Sequence, residues 1–233
     1  MEVKIPKRSK PVNIILCIPG NKFSGKFIQS YSALLIHCMT HGINLDIQQM
    51  FSSNVYHTRE CMVAMTVLTD TKNIAPFGGK HYDFSLWIDS DQVFTAEHLE
   101  LLLARMNDPK IDVIGAAIKV HSGNEYAFGW FDEKLLEGKN ELKRMTVTQM
   151  ECKQKPIEVD YLGLAFTLVR KGVFEKIKFP WFQGLPYNAI PACKNKEGMM
   201  GEDLSWCWRE SQAGVKFYID PLCQVGHEKE TVL

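Results

Sequence analysis

The sequence predicts an α/β protein, a twisted mixed sheet with mostly parallel strands and helices on its faces. Three observations point there. Short apolar runs of strand length alternate with longer stretches of helical periodicity through the first half of the chain. The run Phe84-Ser85-Leu86-Trp87-Ile88 reads as a strand buried on both faces, and it ends abruptly in Asp89-Ser90-Asp91. At 233 residues, with 45% hydrophobic and 11% aromatic content, the chain can fill one sizeable core.

After a basic lead-in ending at Pro11, the first expected strand runs from Val12 to Ile18 and breaks at Pro19-Gly20-Asn21. From Lys26 to His41, Phe27, Tyr31, Leu34, Leu35 and Cys38 recur at helical spacing, and Gly42 follows as a stop. Ile43 to Met50 is a second strand, with Leu45, Ile47 and Gln49 on one face. A second helix starts near Thr58 and carries Cys61, Met62, Met65 and Leu68. Pro76-Gly78-Gly79 then forms a loop into the central strand. Thr95 opens a helix with an apolar stripe of Leu99, Leu102, Leu103 and Met106, stopped by Asn107-Asp108-Pro109 before a strand from Val113 to Ile118. This rhythm predicts parallel strands joined by right-handed crossovers.

The second half is less regular. Residues 119–156 hold aromatics at Tyr126, Phe128, Trp130 and Phe131 and a charged run over 139–144 that reads as a solvated face. Ile157 to Val169 reads as a strand pair or one long strand interrupted at Gly163, with a short helix from Lys171. Gly184 to Gly201, with Pro186 and Pro191, reads as a loop that can act as a lid. Asp203 to Gln212 is a helix closed by Gly214, and Val215 to Ile219 is the last expected strand. With no repeat and no linker, a single domain over 1–233 is expected, with a regular half over 1–118 and a less regular one over 119–233.

Lys+Arg and Asp+Glu both number 27, so the overall basic excess of a nucleic-acid binder is missing and no nucleic-acid partner is expected. Seven scattered cysteines without a C-x-x-C pair, several inside apolar runs such as Leu16-Cys17-Ile18, read as buried thiols of a reducing, cytoplasmic compartment. The basic N-terminus has no apolar core behind it. No apolar run approaches the ~20 residues of a bilayer span, so neither a signal peptide nor an anchor is expected.

The chemistry is expected at the carboxyl end of the central strand, where open α/β sheets bind ligands. Asp89 and Asp91 at i and i+2 of an extended segment would project together, and a divalent cation makes such a pair favourable. A hard ion held by one or two carboxylates completes its shell with water and phosphate oxygens, so a metal–diphosphate is the expected ligand. A strand followed by a capping turn explains the same residues. His227, after the last expected strand, becomes a third ligand if that strand lies near the central one, and oxygen plus imidazole ligation suits Mn²⁺ better than Ca²⁺. A lone surface histidine is the alternative. Lys229 can meet a phosphate as a point charge. Glu202-Asp203 at a helix start serve either as caps or, one of them, as a general base. Arg59, expected in the first turn of the second helix, neutralises a phosphate or makes an ordinary ion pair. Pro19-Gly20-Asn21 lets a flat base approach the backbone, or is a simple turn. Trp181, Phe182 and the aromatics at 126–131 stack on sugars or fill the core.

Taken in order, Cys17-Ile18-Pro19-Gly20, Thr58-Arg59-Glu60, Leu86-Trp87-Ile88-Asp89-Ser90-Asp91, Asp160-Tyr161-Leu162-Gly163-Leu164-Ala165, Gly201-Glu202-Asp203-Leu204-Ser205 and Val225-Gly226-His227 make the chain resemble the GT-A-fold glycosyltransferases. The likeness is to the small soluble family 2 type of viruses, chlorella viruses among them, and bacteria. The resemblance implies that Asp89-Ser90-Asp91 is the DxD motif holding Mn²⁺ or Mg²⁺ against a nucleotide diphosphate sugar, with His227 completing the metal shell. It implies nucleotide contacts from Ile18, Pro19, Gly20, Asn21 and Arg59. Gly163 would lie against the donor sugar, and Glu202 and Asp203 would face donor and acceptor, a glycan or glycoprotein hydroxyl. Glu60 departs from the family, which often has Asn there. The other enzyme class considered, a sugar-1-phosphate nucleotidyltransferase, calls for a Gly-rich basic loop after the first strand, and Pro19-Gly20-Asn21-Lys22 is a poor substitute. A non-catalytic carbohydrate-binding module has no need for clustered acids.

Overall fold

A computed structural model describes residues 8, 10–65, 74–120, 123–131, 142–194 and 196–228. Its main sheet has seven strands. In chain order they are β1 (Val12–Pro19), β2 (Ile43–Met50), β3 (Phe84–Ile88), β5 (Val113–Ala117), β8 (Ile157–Val159), β10 (Phe166–Arg170) and β11 (Phe217–Gln224), laid side by side as β2-β1-β3-β10-β5-β11-β8. β2, β1 and β3 are parallel, as are β5 and β11, while β10 and β8 run against their neighbours. The sheet is thus mixed with most strands in one direction, as expected. Its middle differs, because β10 separates β3 from β5. A fully buried run such as Phe166–Val169 looks the same in either direction, so its sequence carries no sign of its antiparallel placement.

Side-chain alternation builds two apolar layers. Ile14, Leu16 and Ile18 of β1, with Leu86 and Ile88 of β3, face α1 (Gly25–Thr40) and α3 (Ala96–Arg105). Ile15, Cys17 and Trp87 face the opposite layer, where α2 (Val55–Ala64) and α5 (Glu202–Gln212) pack around Met62, Val63, Trp206 and Cys207. Ser24 caps α1 by accepting from Phe27 N at 3.0 Å. β2 is an edge strand, so Ile47 is exposed although Leu45 is partly buried in the α1 layer.

Several boundaries move for physical reasons. α2 begins at Val55, a turn before Thr58, because the Asn54 side chain is the cap. Arg59 therefore sits in the second turn and away from the helix N-terminus. From Thr58 to Ala64 every residue of α2 is buried. Glu60 is held there by accepting backbone N–H groups of Trp181 and Phe182, which explains an acid at this place. The helix expected from Lys171 is a run of turns, with Gly172 at φ +95°. β11 passes through Pro221 because a register shift between Asp220 and Gln224 releases that stretch from the ladder. Leu68 lies outside the described residues.

Two small sheets complete the fold. β6 (Glu125–Trp130) lies between β7 (Lys143–Thr146), which leads into the short α4 (Val147–Met150), and β9 (Tyr161–Leu162). β4 (Gln92–Val93), directly after the acids, pairs antiparallel with β12 (Gly226–His227). The long loop before α5 is tied at its base: Met200 N donates to Leu185 O at 2.8 Å, and the Tyr56 hydroxyl donates to Met200 O at 2.8 Å. Trp181, Phe182, Tyr126 and Phe128 are buried core residues, which removes them from sugar stacking. Among the described residues no helix is long and apolar enough to cross a membrane.

Candidate active site

A cavity of about 270 Å³ opens at the carboxyl ends of β1 and β3, walled by α2 and the start of α5. In its wall Gly20 lies close against Ser90. Gly20 has φ +145°, and a Cβ there would sit 2.4 Å from Ser90 Oγ, so only glycine lets the end of β1 lie against the acid turn. Gly20 is held from β2 as well, donating N–H to Met50 O at 2.9 Å while its carbonyl accepts from the Gln49 amide.

Asp89, Ser90 and Asp91 form a tight turn, closed by Gln92 N donating to Asp89 O at 3.2 Å, where an extended segment was expected. The two acids line the same cavity but take different partners. Asp89 Oδ1 accepts from Arg59 Nη2 at 3.0 Å. Asp91 Oδ1 accepts from Gln92 Nε2 at 2.8 Å, and Asp91 Oδ2 stands 3.0 Å from His227 Nε2. The β4–β12 pairing is what carries His227 there.

The other nitrogen of His227, Nδ1, lies 3.2 Å from Lys119 O. A carbonyl can only accept, so Nδ1 carries the proton of that bond, and Nε2 then faces a carboxylate. A lone pair against a carboxylate needs positive charge between them, either a proton or a metal ion. A backbone carbonyl orienting a ligating imidazole is the usual support of a metal-bound histidine. The wider site is also short of positive charge. Asp89, Asp91, Glu202 and Asp203 line the cavity, and Arg59 is the one cation among the described residues that do so. On these two grounds the site fits a hard or borderline divalent ion at Asp91 and His227. Asp89, the other acid expected to ligate the ion, gives its Oδ1 to Arg59. Among the described residues, no three His, Cys, Asp or Glu side chains already converge as a metal cluster.

Arg59 is the hub of the opposite wall. Only 2% exposed, its guanidinium lies over the Trp87 ring at 5.6 Å and stands 3.4 Å from Glu202 Oε1 and 3.7 Å from Asp203 Oδ1. Burial disfavours its charge, but Asp89, Asp203 and Glu202 together hold the proton more firmly than usual. Its Nε and Nη1 are buried without a hydrogen-bond partner. Gly201 is the N-cap of α5 and offers no side chain, so Glu202 and Asp203 open the helix while facing the cavity. Asp203 Oδ2 accepts from Leu164 N at 3.3 Å. Burial raises the Asp203 carboxyl to about 7, with Glu202 and Asp89 adding to the rise and Arg59 opposing it. Burial likewise raises Asp89, against the pull of Arg59.

The remaining expected residues divide. Pro19 lines the cavity, but the Ile18 side chain packs into the α1 layer and Asn21 is exposed beyond the strand end. Gly163 lies in the turn between β9 and β10, where a Cβ would be 3.6 Å from Asp203 Oδ2, so it stands beside that acid. Lys229 lies outside the described residues. Sequence reading passed over Phe51, an exposed ring on the rim just past β2, and Gln92, which is fully buried and holds Asp91. Phe51 had a usable signal, an aromatic at the end of a strand adjacent to β1. Gln92 sits on a two-residue strand too short for any periodicity.

No protein-family model and no curated protein sequence matches the chain. Among solved structures it is similar to A197 from STIV, at 18% identity over 95% of this chain and 97% of that one, with a TM-score of 0.53. Fainter similarities are to GalNAc-T7, solved with UDP, GalNAc and Mn²⁺ (11% identity, 94% of this chain, 44% of that one, TM-score 0.49), and to mannosyl-3-phosphoglycerate synthase from Rubrobacter xylanophilus (12%, 71%, 56%, TM-score 0.39). The sheet order, the flanking helices and the likeness to A197 along nearly the whole of both chains show the GT-A α/β fold.

Proposed function

We propose that the protein is a divalent-metal-dependent glycosyltransferase moving a sugar from a nucleotide diphosphate sugar to an acceptor hydroxyl. The observation that carries this reading is the meeting of Asp91 with His227 at the end of β3, across one small cavity from the Glu202-Asp203 pair. Charge-poor strand ends at Pro19 and Gly20 and the exposed Phe51 ring suit a flat nucleobase and ribose. Asp91 and His227 would hold Mn²⁺ or Mg²⁺. When bound, such an ion supplies Lewis-acid stabilisation of the diphosphate as it leaves.

Asp203 is assigned the proton-transfer role. It is held by Leu164 N through Oδ2, while its Oδ1 is buried without a hydrogen-bond partner, and its raised affinity for a proton matches a base working near neutrality. In an inverting reaction it accepts the acceptor hydroxyl's proton as the new glycosidic bond forms. Glu202 contributes by pairing with Arg59 and by raising Asp203. The test is calorimetry with UDP and GDP with and without Mn²⁺, followed by a transfer assay over UDP- and GDP-sugars. Nucleotide diphosphate binding that is indifferent to EDTA would overturn the reading.

A further inference from the structure

Asp89, also expected in the metal set, is met from α2 by Arg59. Arg59 Nη2 reaches Asp89 Oδ1 at 3.0 Å and lies 3.7 Å from Asp203 Oδ1, so one guanidinium bridges the turn after β3 and the first turn of α5. Its position is set by packing, with Cζ over the Trp87 ring at 5.6 Å and almost no exposure. Its hydrogen bonding is incomplete, however: Nε and Nη1 are buried and unpartnered, as is Asp203 Oδ1. Buried donors in this condition gain from a further oxygen acceptor.

We propose that Arg59 is a positioning residue that stands in for the divalent ion in the metal-free protein and competes with it for Asp89. The inference rests on the metal reading above. A dication beside Asp91 and His227 attracts Asp89 and repels the guanidinium. Arg59 then keeps Glu202 and Asp203 as its carboxylate partners, and its free N–H groups become available to an anionic oxygen. Coupling of this kind is reciprocal. Arg59 weakens the metal, and the metal loosens Arg59 from Asp89. The acids of the metal side and of α5 are therefore linked through one side chain, and metal arrival changes the partners of the proposed base.

Mn²⁺ binding in the absence of nucleotide, by electron paramagnetic resonance of the free ion, reads the competition directly. Arg59→Met should bind Mn²⁺ about tenfold more tightly than the wild type, within the usual range of site–site coupling, with Arg59→Lys in between. The double variant Arg59→Met/Glu202→Gln removes one charge of each sign and guards against misfolding of the single variant. Loss of packing alone would not tighten metal binding, and tightening that persists in the double variant, whose net charge is unchanged, separates competition for Asp89 from simple removal of a nearby cation. Folded variants that bind Mn²⁺ no more tightly than a binding wild type overturn the competition alone. Absence of binding in every protein, wild type included, overturns the metal reading and the competition with it.

Discussion

Glu210 offers the sharpest test of the energetics. It lies two turns into α5, is 0% exposed, and neither carboxylate oxygen has a hydrogen-bond partner. The Trp206 indole one turn back favours its ionisation without completing a hydrogen bond, and Lys176 and Arg209 pull the same way, but burial outweighs them and raises the carboxyl to about 8. The unfolded chain releases this proton near 4.5, so between 4.5 and about 8 the folded state holds one proton that the unfolded state does not. Stability contributed by the group is therefore complete below 4.5, falls as pH rises, and levels off above about 8. Each unit is worth about 1.4 kcal/mol, so about 5 kcal/mol is lost across the window. Glu210→Gln keeps the shape of the protonated acid and removes the titration. Urea unfolding of both proteins at several pH values from 5 to 9 should give near-equal stability at pH 5. A variant advantage should then grow by about 1.4 kcal/mol per unit and become constant above pH 8. Distant titrations cancel in the difference. A difference that does not change with pH would refute the buried-acid argument.

The other predictions concern the site. Asp91→Ala should abolish Mn²⁺-promoted nucleotide diphosphate binding in calorimetry and, by leaving the buried Gln92 amide without its acceptor, lower stability by about 1–3 kcal/mol in a thermal melt, and His227→Ala should weaken Mn²⁺ more than Mg²⁺. Asp203→Asn should lower turnover on the order of 10²–10⁴-fold with donor binding kept. Wild-type turnover should rise with pH through about 7, because a base with a raised carboxyl works only once deprotonated. Gly20→Ala forces a methyl group to within 2.4 Å of Ser90 Oγ at a positive φ, and a thermal melt should record a loss of about 1–3 kcal/mol.

What could be read in advance follows the physics of each signal. β1, α1, β2, β3, α3 and β5 are long and periodic, and their sequences announce them within a residue or two. The direction of β10 could not be read, since a doubly buried strand has no polar face to mark its orientation. Thr58 looked like a cap because caps are local. Asn54 wins by hydrogen bonding four residues upstream, and the shift takes Arg59 from a helix terminus into the interior. The acids of the site were legible as charges placed where a buried strand must stop. Their partners were not, since Arg59 meets Asp89 across the fold and His227 meets Asp91 only through two strands of two residues each.

That last pairing bears on how the molecule acquires its site. Asp91 and His227 are 136 positions apart, and Leu164 and Asp203 are 39 apart, whereas Arg59 and Asp89 are separated by 30. Contacts closing such long loops form late, after local elements have repaid the chain entropy of bringing the ends together. A growing polypeptide thus holds Asp91 long before it gains the imidazole that meets it. Any ligand spanning Asp91 and His227 ties the first strands to the last one, so its binding should protect the main sheet as a unit against unfolding, beyond the loops it touches.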